Sequence, residues 1–135
     1  MDNKRAHLEM IQAIITRMSV NSFLLKGWSV VLVSALFALA AGNSEKLFVY
    51  LAYFPAIAFW ILDGYFLRQE RLFRKLYDRV RSLDESVVDF SMDTSVVRNQ
   101  VSEWLSVTFS KTLAIYHGTV IGSIVIVMLV IICRR

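Results

Sequence analysis

Three long, mostly apolar runs constrain this chain more than any other feature. The first is FLLKGWSVVLVSALFALAAG, residues 23–42. The second is LFVYLAYFPAIAFWILDGYFL, residues 47–67, and the third is LAIYHGTVIGSIVIVMLVIIC, residues 113–133. A helix needs about 20 mostly apolar residues to cross the hydrocarbon core of a bilayer. Each run has that length, so each predicts a transmembrane helix. As buried core helices of a soluble protein they would need far more polar chain to cover them, since 56% of the 135 residues are apolar against roughly 45–50% in soluble domains. Ala38-Leu39-Ala40 has the form of a signal-peptide cleavage site. However, more than twenty residues precede the first run, and they include acids and a helical pattern, unlike the short basic start of a signal peptide. The run is therefore expected to stay in the protein.

Charge gives the expected orientation. Ten of the fifteen Lys and Arg residues lie in 1–26 or 68–81, flanking the apolar runs. Basic residues near span ends mark the cytoplasmic side, and this placement argues against nucleic-acid binding. The expected arrangement is a single all-α membrane domain over 1–135. Spans at 23–42, 47–67 and 113–133 leave 1–22 and 68–112 in the cytoplasm and the 43–46 turn outside. Arg134 and Arg135 pull the other way, towards a cytoplasmic C-terminus.

Local patterns fill in the parts between the spans. In residues 4–22, Leu8, Ile11, Ile15 and Met18 recur at helical spacing, with Ile14 widening the stripe. This predicts a short amphipathic helix, lying in the membrane interface or packed on another cytoplasmic helix. Gly42 to Lys46 reads as a tight polar turn, with Gly42 ending one helix and Asn43 or Ser44 capping the next. The first two spans then form an antiparallel hairpin. Pro55, in the middle of the second span, removes a backbone hydrogen bond and predicts a kink. Past Leu67 the helix continues as a stalk: Gln69, Phe73, Leu76, Val80 and Leu83 recur at three- and four-residue steps, with Leu72 and Tyr77 beside them, and make a mostly apolar stripe. Glu70 and Arg74 make an i, i+4 pair. Arg68, Arg71, Arg74, Lys75 and Arg79 are candidates for contact with anionic lipid or a partner, or they simply fix topology. Residues 84–95, DESVVDFSMDTS, read as a loop. Asp93 or Thr94 is expected to cap a helix carrying Val97, Val101, Trp104, Leu105 and Thr108 towards the third span.

Charged residues inside a span are costly and usually have a partner. Lys26 lies sixteen residues before Gly42 and Asp63 sixteen after Leu47, or about 24 Å along an antiparallel pair at 1.5 Å per residue. Equal depth makes an Asp63–Lys26 pair one reading. Independent snorkelling to the interface is a second, and a pore-lining or proton-carrying acid is a third. His117, one turn into the third run, completes a candidate polar layer of Lys26, Asp63 and His117, as an interhelical hydrogen bond or as a titrating switch. Gly118 and Gly122 form a G-x-x-x-G pair with Ser123 beside it, a candidate helix-packing face. Cys133 excludes an intrachain disulfide; it reads as an apolar residue at the membrane edge, or as a site of lipidation or a dimeric disulfide. There is no phosphate-binding glycine loop, metal-ligand cluster or nucleophile–base motif. No cofactor and no enzymatic activity are expected.

The segments GWSVVLVSALFALAAG, AYFPAIAFWILDGYFLRQERLFRKLYDRVR, DFSMDTS and FSKTL, in this order, resemble a family of small uncharacterised bacterial membrane proteins. The resemblance covers nearly the whole chain, and DGYFLRQERLFRKLYD is its most specific block. It implies a bacterial inner-membrane protein and carries no established activity. In size and architecture the chain is more loosely similar to the small multi-span effectors of anti-phage defence systems, which damage the host membrane. Three spans cannot enclose much of a pore, so the expected function is an oligomeric membrane effector or channel-like subunit. The alternative is a non-conducting scaffold or sensor that docks a cytoplasmic protein through its stalk, with Phe73, Tyr77 and Trp104 exposed. A transporter is disfavoured by the lack of an inverted repeat. The expected partners are the lipid bilayer, other copies of the chain and, in the alternative, the cytoplasmic protein.

Overall fold

The computed structural model describes residues 2–43 and 46–134. It is all-helical, with no strand among the described residues. Helix α1 runs over Asp2–Asn43, α2 over Leu47–Leu51, α3 over Tyr53–Ser82, α4 over Trp104–Thr108 and α5 over Lys111–Cys133. Two short 3-10 turns, Glu85–Val87 and Ser95–Gln100, lie between α3 and α4. Three helical stretches are long and apolar enough to cross a membrane, as a multi-pass membrane protein requires.

The N-terminal amphipathic segment is not a separate helix. It continues without a break into the first apolar run, so α1 has 42 residues and a length of about 63 Å at 1.5 Å per residue. The polar residues at the junction, Ser19, Asn21 and Ser22, carry no proline or glycine that would interrupt the helix. Nor does Gly42 stop it: no glycine takes a positive φ, and α1 continues to Asn43. The proposed caps at Ser44 and the rest of that turn up to Glu45 lie outside the described residues. In the second run the interruption falls at Ala52, three residues before Pro55. Pro55 has no N–H to offer the Leu51 carbonyl, while the flanking Ala52–Phe48 and Ala56–Ala52 bonds are kept.

Helix α1 packs along α3 in the opposite sense, with Lys26 beside Asp63 and Lys4 beside residues 81–83. Lys4 Nζ donates to the carbonyls of Arg81 (3.1 Å) and Leu83 (2.6 Å), closing the far end of α3. A lysine on the last carbonyls of a helix satisfies acceptors that have no intrahelical partner. The buried positions on α1 are His7, Ile11, Ile15, Ser22, Ser29, Val33 and Ala40, in steps of four or seven; on α3, Ala56, Asp63 and Glu70 step by seven. Seven-residue steps keep one seam facing its partner along two long helices.

Two apolar cores result. One lies among the apolar runs: Val33 and Ala40 of α1, Val49, Ala52 and Ala56 of the second run, and Ile124 of α5. Its alanines let the backbones approach closely, as small residues do in membrane bundles. The other lies beyond the apolar runs, where Ile11 and Ile15 pack on Leu72, Leu76 and Val80, with Val88 and Val97 closing over them. The stalk stripe is thus covered by this chain's own N-terminal segment, with Phe73 and Tyr77 half-buried against that core.

The connection from α3 to α5 departs from the expected single helix. Asp93 does not cap an α-helix; its carboxylate accepts from the Ser95 amide (2.9 Å) and hydroxyl (2.8 Å), opening the second 3-10 turn. Thr94 makes no side-chain cap. Val97 is buried in the outer core, whereas Trp104 and Leu105 belong to the separate helix α4 and stay exposed. Phe90 is left-handed at φ 58°, uncommon for a non-glycine residue. Its ring meets the buried His7 edge to face at 5.5 Å.

Candidate functional site: a buried polar cluster

Asp63 is fully buried, although it lies in an apolar run. Its carboxylate collects three donors from two other helices. Lys26 Nζ of α1 reaches Oδ2 at 2.5 Å, and His117 Nε2 of α5 reaches the same oxygen at 2.7 Å. The Ser22 hydroxyl, one turn before Lys26, donates to Oδ1, and Lys26 also donates to Ser22 Oγ at 2.8 Å. An ionised carboxylate can only accept, so His117 Nε2 carries the hydrogen. Lysine and aspartate cancel in charge, and the imidazole N–H completes the set of donors. A buried charge with its hydrogen bonds satisfied in this way becomes tolerable at low dielectric.

Aromatic groups wall the cluster. Trp60, one turn before Asp63, lies parallel to the His117 ring at a centroid distance of 5.7 Å and an interplanar angle of 9°. Its indole N–H donates to the Thr108 carbonyl at 2.8 Å. The Tyr116 hydroxyl donates to the Lys26 carbonyl at 2.8 Å, and the Lys26 ammonium lies 5.8 Å from the Tyr116 ring centroid. His117 Nδ1 is buried with no partner among the described residues.

Gly64 lets the cluster close. A Cβ built there would overlap the Thr108 hydroxyl and lie 3.0 Å from that residue's Cβ and 3.1 Å from its Cα, so the missing side chain lets α4 lie this close to α3. The approach places α4 and the start of α5 so that His117 faces Asp63.

Lys26, Asp63 and His117 therefore meet at one point. Gly118 and Gly122 do not join them: a Cβ at either would meet open space. Pro55 is half-buried near the inner core, away from the cluster. Arg68, Arg71, Arg74, Lys75 and Arg79 line the part of α3 beyond the apolar run, with Arg74 Nη2 on Glu70 Oε1 at 2.7 Å. Cys133 is exposed at the end of α5.

Sequence reasoning missed Ser22, Trp60, Gly64, Thr108 and Tyr116. A partial signal existed, because Ser22 and Trp60 lie one helical turn from Lys26 and Asp63. It also missed a hydroxyl stripe on α5. Thr112, Tyr116, Thr119 and Ser123 follow i, i+4, i+7, i+11 spacing and, with Ser34 of α1, line a groove of about 470 Å3 between α1 and α5. Thr112, Thr119, Ser123 and Ser34 are all exposed.

No group of three or more metal-ligating side chains occurs among the described residues. No protein-family model matches this chain, and no curated protein and no solved structure matches it.

Proposed function

We propose that this chain is a subunit of an oligomeric, channel-like assembly in a bacterial inner membrane. Residues 1–22 and 68–112 face the cytoplasm, as the positive-inside bias favours. The observation that carries this reading is the hydroxyl stripe of α5. In lipid, helix surfaces facing hydrocarbon are apolar, and polar side chains turn towards other helices or water-filled cavities. Here Thr119 and Ser123 face an unfilled groove, their hydrogens engaged by the carbonyls of Ile115 (2.6 Å) and Thr119 (2.9 Å). Their oxygens remain free as acceptors along the groove. Several copies arranged with this face inward would line a narrow polar path. The adjacent Gly118 and Gly122 leave room for a neighbouring helix.

In this reading Asp63 is a structural clasp and not a pore acid, because three helices of its own chain enclose it. Depolarising the host membrane, as anti-phage effectors do, is the biological outcome this activity would serve.

The test is ion flux from proteoliposomes containing purified protein. Wild type is expected to conduct, and Thr119→Leu with Ser123→Leu to abolish flux while the oligomer persists. Unchanged flux in that variant would remove the stripe from the pore. A monomer without flux would favour the alternative, a non-conducting scaffold. That alternative draws on Val87, Phe90 and Val96, apolar residues exposed on the loop beyond α3 where a cytoplasmic protein could dock. Trp104 and Leu105, exposed on α4, belong to the same candidate surface.

A further inference from the structure

The basic residues of α3 do not share one environment. Arg74 is engaged by Glu70 at 2.7 Å. Arg68 Nε donates to the Ser102 carbonyl at 3.3 Å, drawing the returning chain against α3. Arg71 and Lys75, one turn apart on the same face, have no side-chain hydrogen bond or ion pair among the described residues. They open into a cleft of about 320 Å3 whose other wall carries Gln100 and Ser102. Asp78 is the one acid lining it, and Arg81 Nη2 lies 3.7 Å from that carboxylate.

We infer that this cleft binds a phosphate-bearing anion. A row of cations that only fixes topology would lie on a convex helix face. Here a second wall lines the cleft beside the cations and carries an amide and a hydroxyl, groups that donate hydrogen bonds to phosphate oxygens. The Arg71 guanidinium supplies a planar fork suited to two such oxygens, and Lys75 adds a point charge. The volume lies at the lower end of the roughly 300–1,000 Å3 usual for small-ligand sites. It suits a phosphate or diphosphate with a small organic group.

Depth along α3 leaves two sources for that phosphate. Arg71 lies about 6 Å and Lys75 about 12 Å beyond Leu67 on the helix axis. The headgroup layer is about 5–8 Å thick on each side. The cleft therefore spans the outer edge of the headgroups, within reach of a lipid phosphate from one side and a soluble one from the other. The site does not depend on conduction.

The test uses the full chain in phosphatidylcholine nanodiscs, titrated with inorganic pyrophosphate and followed by calorimetry. A second arm measures the phosphatidic acid that co-purifies from membranes containing it. Saturable pyrophosphate binding identifies a soluble phosphate ligand; enrichment of phosphatidic acid alone identifies a lipid headgroup. In either case Arg71→Gln and Lys75→Gln should each weaken binding about tenfold or more, as loss of a charge-assisted contact does. Arg79→Gln, outside the cleft, should change it less than about twofold. Absence of both signals overturns the inference. So does an Arg79→Gln effect equal to that of Arg71→Gln, since a diffuse basic field would then account for all of the binding.

Discussion

His117 Nε2 lies 2.7 Å from Asp63 Oδ2, the same oxygen that holds the Lys26 ammonium at 2.5 Å. One carboxylate thereby ties α1, α3 and α5 together at a buried site where an unpaired charge is costly. Its contribution is best measured by removing one partner at a time.

Asp63→Asn should destabilise the folded protein in detergent by about 3 kcal/mol or more, the usual cost of leaving a buried charge unpaired. Lys26 is 21% exposed in its side chain, so part of that cost is relieved by water. The double variant Asp63→Leu with Lys26→Met should regain most of the loss, because no charge is then stranded. Thermal unfolding of the single and double variants gives the coupling. Equal destabilisation by the single and double variants would mean that the pair does not couple the helices.

Gly64→Ala should push α4 away from α3, because the added Cβ would overlap the Thr108 hydroxyl and also crowd that residue's Cβ at 3.0 Å and Cα at 3.1 Å, so turning the side chain relieves only part of the clash. Overpacking of this kind typically costs about 1–3 kcal/mol. The segment between α3 and α5 should also become more sensitive to limited proteolysis. Gly118→Ala, where a Cβ meets open space, is the control and should leave the isolated subunit's stability within about 0.5 kcal/mol.

Asp93 should titrate below the ordinary aspartate range, because the Ser95 amide and hydroxyl stabilise its charged form. A depressed carboxylate contributes its stability above the unfolded pKa and loses it as pH falls through the folded value. The turn at 93–95 should therefore stay protected in neutral and mildly acidic solution and loosen only at strongly acidic pH. Amide exchange at Ser95, compared with Asp93→Asn, measures this. If the two proteins show the same pH profile, the carboxylate does not hold the turn.

The sequence by itself determined that there are three membrane-length helices. About twenty mostly apolar residues in a row leave a chain few other ways to satisfy its backbone in lipid. It also placed Lys26 and Asp63 at one depth, because helical rise is fixed and both lie equally far from the same turn. Tertiary structure decided the rest, since the remaining choices depend on residues far apart in the chain. Whether Ile11 and Ile15 face lipid or another helix was set by Leu72, Leu76 and Val80 presenting a matching stripe. Residues 96–110 carry a helical apolar period, yet the chain breaks there into a 3-10 turn and α4. The competing demands are burial of Val97 in the outer core and the close seat of Thr108 on Gly64. His117 reaches Asp63 only because α5 returns along α3, a pairing that no local spacing encodes. The polar cluster was half legible: its charges were visible in the chain, but the serine and aromatic residues that enclose them emerged only when three helices packed.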